Sequence, residues 1–156
     1  ERGLQPILLD GDILRSIFKN AKAPNDTHNG EARIKLALKY AQICKVLSSQ
    51  GFTVVIATIS MFREVYAWNR ANFPNYFEVY LKVPLAELRL RDPKKIYQRY
   101  DSGDLCKVAG LDLSVDEPLE PHAIFDFEAR PFLWNTPSTI VQHLMRKLQK
   151  VDLGRI

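Results

Sequence analysis

Apolar residues run from Pro6 to Leu9 and stop at Asp10, the pattern of a short buried parallel strand. Asp12 then offers a side-chain cap for a helix reaching about Asn20. Residues 21–30 are polar and carry Pro, Asn, Asp and Gly, which predicts a loop. From Glu31 the apolar positions Ile34, Ala37, Leu38, Ala41, Cys44 and Leu47 recur at helical spacing, and Gly51 is a natural stop. Residues 52–59 are β-branched and almost wholly apolar, as in a central strand covered on both faces. A helix is expected over 61–72 and a strand over 76–83, ended by Pro84. Residues 85–100 are highly charged and contain Pro93, so two short helices are expected there. Residues 102–121 read as irregular and 123–127 as a last short strand. Residues 137–150 form a helical pattern with Ile140, Val141, Leu144 and Leu148 inward.

Strands alternating with helices in this order imply an α/β fold: a three-layer parallel sheet with helices on both faces. No internal repeat or low-complexity tract interrupts it, and the whole of 1–156 reads as one domain. Glu1-Arg2-Gly3 resembles the last turn of a helix and its glycine stop, directly before a strand. A strand, a phosphate loop and a helix are therefore expected ahead of Glu1.

Composition narrows the class. At 156 residues, 46% apolar and 26% charged, the chain can bury a core and is ordinary for a globular protein. No apolar run approaches the roughly 20 residues that span a bilayer, so no membrane partner is expected. Cys44 and Cys106 have neither metal spacing nor the density of a disulfide scaffold, and a reduced, cytoplasmic protein is the simplest reading. The net charge of +4 suits an anionic partner. It concentrates in Arg89, Arg91, Lys94, Lys95 and Arg99. Neither interleaved aromatics nor a nucleic-acid motif accompanies that charge, which points to a small phosphorylated ligand and away from a polynucleotide.

Three segments carry candidate chemistry. Leu8-Leu9-Asp10-Gly11-Asp12-Ile13-Leu14-Arg15 ends a strand in two carboxylates around a glycine, with an arginine three residues on. Such an edge can present a metal-ligating or proton-accepting acid and an anion-binding base. It can equally be a strand-to-helix turn with Asp12 as a plain cap. Ile59-Ser60-Met61-Phe62-Arg63 sets a hydroxyl and a guanidinium beyond the second strand, where open α/β sheets bind ligands, or where a serine caps a helix. Arg89 to Tyr97 could be a mobile basic lid that closes over phosphates, or a solvated helix face. His28, His122 and His143 have no metal spacing. Nowhere does G-x-x-x-x-G-K-[ST] occur, so the 156 residues read as the substrate half of a phosphoryl-transfer enzyme.

Taken together, these segments resemble the adenylylsulfate kinase family, over about 6–127. The family's L-D-G-D-x-x-R appears as Leu9-Asp10-Gly11-Asp12-Ile13-Leu14-Arg15, and its I-S-P-[FY]-R as Ile59-Ser60-Met61-Phe62-Arg63. Its E-V-Y-V-x-x-P-L appears as Glu78-Val79-Tyr80-Leu81-Lys82-Val83-Pro84-Leu85, and its R-D-P-K-G-L-Y as Arg91-Asp92-Pro93-Lys94-Lys95-Ile96-Tyr97. The resemblance implies a P-loop kinase-like fold and an enzyme using ATP and Mg2+. It would phosphorylate a hydroxyl of a small nucleotide-like anion, adenosine 5′-phosphosulfate in the parent family. Asp10 and Asp12 would lie beside magnesium and the acceptor hydroxyl, with Asp12 the better base and Asp10 the metal ligand. Ser60 would join them at the catalytic edge and, with Ile59, line the substrate pocket. Arg15 and Arg33 would hold the substrate's anionic group, and Arg91 and Lys94 would belong to a lid over the phosphates. A homodimer is plausible on the same resemblance.

The chain also departs from the family pattern. The asparagine that follows the family's D-R-x-E falls on Leu36, and the paired arginines after it on Leu38 and Lys39. The F-T-G-I that supplies a ring to the substrate adenine reads Val108-Ala109-Gly110-Leu111, and the G-F-S that supplies the other ring has no counterpart in 21–30. A family relative phosphorylates cytidine diphosphoramidate, and Val108 would suit the smaller pyrimidine. A non-catalytic nucleotide-binding module is the reading from another class.

Overall fold

Ile7, Leu8, Leu9 and Asp10 pair in parallel with Val54, Val55, Ile56 and Ala57, so β1 (Ile7–Asp10) and β2 (Val54–Ala57) end level with each other. The computed structural model describes residues 6–18 and 30–128. The proposed 137–150 helix, the 21–29 loop and the turn before Gly3 lie outside those residues. Parallel strands require a crossover. Here α1 (Gly11–Phe18) and α2 (Gly30–Ser49) make it. Then come α3 (Arg63–Asn72), β3 (Val79–Lys82), α4 (Leu85–Arg91), α5 (Ile96–Asp101) and β4 (Ala123–Asp126). The element order is the one the periodicity predicts. β2 and β3 are shorter than expected at both ends, β4 ends one residue early, and β1 is shifted one residue on, to include Asp10.

The chain divides into two compact units. The first comprises Glu1–Tyr76 and Cys106–Glu117, the second Phe77–Leu105 and Pro118–Ile156. In the first, α2 turns Ala37, Tyr40, Ala41 and Cys44 inward, positions i, i+3, i+4 and i+7 of one helix face. Ala37 packs with Phe62 and Val65, and Ile34 and Leu38 border that cluster. Tyr40 belongs to this face, although only the aliphatic positions mark it in the sequence. Burial alternates along β1 and β2, leaving Leu8 71% and Val55 47% exposed. Among the described residues, then, β2 pairs with β1 and opens one face, where an all-apolar run predicts cover on both.

The cap of α1 differs from the expected one. Asp10 Oδ1 accepts the backbone N–H groups of Asp12 (2.8 Å) and Ile13 (3.1 Å), so Asp10 caps the helix and Asp12 lies exposed in its first turn. Asp10 is the last strand residue and still extended, which is the backbone state an N-cap needs. Gly11 follows because nothing larger fits. A Cβ there would lie 2.9 Å from Thr58 Oγ1 and 3.0 Å from the Ala57 carbonyl oxygen.

In the second unit, β3 and β4 pair in parallel in the register Val79↔Ala123 to Lys82↔Asp126. Ala123 and Phe125 are buried, and His122 Nδ1 accepts the Glu78 N–H at 3.0 Å while its ring stacks on Phe77. Pro93 ends α4 as expected. Asp92 bridges to α5 by accepting the N–H groups of Ile96 (2.7 Å) and Gln98 (3.0 Å). Lys95, at φ 53°, makes the left-handed turn between them.

Candidate active site

The level ends of β1 and β2 bring together the two motifs that the sequence separates by about fifty residues. Asp10, Gly11 and Asp12 leave β1; Thr58, Ile59 and Ser60 leave β2. Gly11 sits against Thr58, and the Thr58 and Ser60 hydroxyls are 2.9 Å apart. Ile59 is largely exposed between them. This is the carboxyl edge at which open α/β sheets bind ligands.

Basic groups gather in the same unit. Arg15, one turn along α1, faces Asp12 at 3.4 Å, and both side chains are about half exposed. An ion pair so open contributes little to stability. Arg33, near the start of α2, donates through Nη2 to the Lys107 carbonyl at 2.7 Å. The loop behind that carbonyl is tightly held. Asp112 accepts the N–H groups of Lys107 (2.7 Å) and Val108 (2.6 Å). Lys107 and Gly110 take positive φ values, 60° and 82°, to close the turn.

The electrostatics follow from this packing. Burial lowers the Arg33 pKa, the Arg15 charge lowers it further, and Asp112 partly opposes both. Two cations held close enough to repel one another make a site that gains from an anion. The Lys107 N–H is the largest influence on Asp112 and, with the Val108 N–H and the Arg33 charge, holds it below the usual carboxylate range against the opposing effect of burial.

The expected residues therefore fall into two groups. Asp10, Asp12, Arg15, Arg33, Ile59, Ser60 and Val108 all belong to the first unit. Val108 is buried, at 9% exposure. Arg91 and Lys94 belong to the second unit. There Arg91 pairs with Glu87 and lies 5.2 Å over the Phe127 ring, Arg89 pairs with Asp101, and Lys94 is exposed.

Three contributing residues escape sequence reading. Asp112 positions the Arg33 partner loop. Asp116 accepts the Arg63 N–H at 3.1 Å and pairs with its guanidinium at 3.3 Å, which fixes the start of α3. Tyr40 lies two turns beyond Arg33 on α2, buried among the inward residues. A 33–37–40–44 spacing was the available signal for Tyr40; nothing local marks the two aspartates.

For magnesium, the donor set is sparse. No group of three or more His, Cys, Asp or Glu side chains able to hold a metal occurs among the described residues. Asp10 and Asp12 fit an ion that takes one or two carboxylates and completes its shell with phosphates and water. They do not fit an all-protein cage.

Comparisons with known proteins show the family and the fold. The family described as Adenylylsulphate kinase matches residues 1–126. A Campylobacter jejuni protein named cytidine diphosphoramidate kinase is 38% identical over 112 residues, covering 72% of this chain and 63% of its own. A Bacillus subtilis probable adenylyl-sulfate kinase is 32% identical over 127 residues, covering 80% and 62%. The chain thus spans under two thirds of either relative's length. The solved Mycobacterium tuberculosis APS kinase, in complex with AMPPNP and APS, superposes with a TM-score of 0.76 at 22% identity, covering 94% of this chain and 82% of that one. That likeness confirms an α/β fold of parallel strands and helices, and no described helix is long and apolar enough to cross a membrane. With the match running through both strand-end motifs and the Arg33 segment, the chain belongs to the adenylylsulphate kinase family.

Proposed function

We propose that the protein is an ATP-dependent kinase that transfers the γ-phosphoryl group to a hydroxyl of a small nucleotide-like anion. One observation carries this reading: the paired ends of β1 and β2 set Asp10-Gly11-Asp12 against Thr58 and Ser60, in the unit that also holds Arg15 and Arg33. Phosphoryl transfer needs positioning, positive charge and an acid to orient the nucleophile's proton more than it needs covalent help. Asp12, exposed and outside the cap, is the base toward the acceptor hydroxyl. Asp10 spends Oδ1 on the helix N-terminus and presents its other oxygen as the magnesium ligand. Magnesium, when bound, neutralises the charge on the transferring phosphate. Arg15 and Arg33 hold the acceptor's anionic tail. Ile59 and Ser60 line the pocket. Arg91 and Lys94 are the phosphate-binding cations of the second unit.

The acceptor is adenosine 5′-phosphosulfate or cytidine diphosphoramidate. The name of the 38% identical Campylobacter relative favours the second. So does Val108, which stands where the parent family offers an aromatic ring: losing a stacked ring removes roughly 1–3 kcal/mol per base.

The test is ADP release from Mg-ATP by the full-length protein, with each acceptor in parallel. Turnover with either acceptor supports the kinase reading and identifies the substrate class. ATP binding without turnover on either would replace it with a non-catalytic nucleotide-binding module.

A further inference from the structure

Tyr40 is only 3% exposed, yet its hydroxyl has no hydrogen-bond partner among the described residues. Buried hydroxyls are almost always satisfied, because an unmet one has lost water and gained nothing. The ring itself is well placed, tilted against Phe18 with centroids 6.0 Å apart. The anomaly is confined to the oxygen.

Two of the site's charged groups, Arg15 and Asp12, lie near that hydroxyl. Burial raises the Tyr40 pKa; the Arg15 guanidinium lies near enough to oppose that effect and the Asp12 carboxylate to reinforce it. Arg15 comes within side-chain hydrogen-bonding reach of the Tyr40 hydroxyl, short of good geometry. Arg33 stands seven residues before Tyr40 on α2, two turns away on the same helix face, and it too feels the Arg15 charge. A protonated hydroxyl and two guanidiniums thus converge within one unit.

Resting on the kinase reading above, we propose that the Tyr40 hydroxyl binds the acceptor's anionic tail beside Arg15 and Arg33, and that it selects among tails. Arginines donate and never accept, whereas a phenolic oxygen does both. A sulfate-like tail presents acceptors alone and is served by all three groups. An amidated phosphate also presents N–H donors, which the guanidiniums repel. Of the three, only Tyr40 can receive one. With the tail in place, the hydroxyl gains a well-formed hydrogen bond.

The test compares wild type with Y40F in the full-length protein, by initial rates at saturating Mg-ATP and by thermal shift. The acceptors are cytidine diphosphoramidate, cytidine diphosphate and adenosine 5′-phosphosulfate. Y40F keeps the ring and its Phe18 contact, so the unliganded variant should melt no lower than wild type. Its KM for ATP should be unchanged. Its KM for cytidine diphosphoramidate should rise about tenfold or more, with a smaller rise for the sulfate and the unamidated diphosphate. Unchanged acceptor KM in an active Y40F protein would make Tyr40 a packing residue and overturn the proposal. Equal rises for all acceptors would keep the contact and overturn the selectivity. A wild type that neither turns over nor is stabilised by any acceptor would overturn the kinase reading, and the subsite with it.

Discussion

Arg33 donates from its guanidinium to the Lys107 main-chain carbonyl at 2.7 Å, closing a contact between residues 74 positions apart. Through it, a residue on α2 meets the loop that holds Val108. Asp112 sustains that contact by fixing the Lys107 and Val108 amides on its two oxygens.

The Asp112 clamp should therefore show in acid. Its carboxyl pKa is held below the usual value, chiefly by the Lys107 N–H and then by that of Val108. A carboxyl with a lowered folded pKa contributes stability that is complete above its unfolded pKa, near 3.8. That stability disappears as pH falls through the lower folded value. Melting temperature followed from pH 6 to pH 2.5 should drop more steeply in wild type than in Asp112→Asn. The same substitution should raise the KM for the acceptor, because Arg33 loses its fixed partner. Parallel curves would show that the clamp contributes nothing.

Gly11 is required by the close approach of Thr58. Gly11→Ala places a methyl 2.9 Å from Thr58 Oγ1 and 3.0 Å from the Ala57 carbonyl oxygen. Overpacking of this kind costs about 1–3 kcal/mol, measurable by urea unfolding. Adding Thr58→Ala should recover part of the loss, since Oγ1 is the nearest atom. A stable single variant would mean that the β1–α1 turn shifts freely.

Asp10 and Asp12 should separate under mutation. Asp10→Ala removes the cap of α1 and costs about 1 kcal/mol of stability, along with activity. Asp12→Asn gives up an exposed pair with Arg15, worth at most about 1 kcal/mol. If Asp12 is the base, its kcat falls by roughly 10²–10⁴. Chemical denaturation and steady-state rates on the same two proteins decide the matter. Equal effects on both readouts would assign both residues to the turn alone.

In the second unit, Asp92→Ala should loosen the start of α5. Burial is the largest single effect on its carboxylate and raises the pKa, yet the Gln98, Ile96 and Tyr97 amides and the Arg89 charge together hold it below its usual range. Amide exchange at Ile96 and Gln98 should quicken in the variant while that of Phe125 in β4 stays slow. Exchange unchanged at both would show that α5 stands without the cap.

Much of this protein was legible one segment at a time. The apolar stop at Asp10, the period from Ile34 to Leu47 and Pro93 between two charged stretches each name their element. The physics there is local: capping, side-chain period and missing N–H groups act within a few residues. Asp12 shows the limit. Two acids one residue apart both suit a cap, and only the observed backbone, extended through Asp10 and helical from Gly11, assigned the role.

Sequence by itself determined the α/β element order, the strand-end acids and the resemblance of its motifs to one kinase family, because short-range preferences and fixed spacings are written along the chain. Tertiary structure decided the rest. It set Gly11 on Thr58 and Arg33 on Lys107, and it buried the Tyr40 oxygen beside Arg15. These are contacts between residues from 25 to 74 positions apart. They arise from how strands pair and helices pack, and no local preference encodes them.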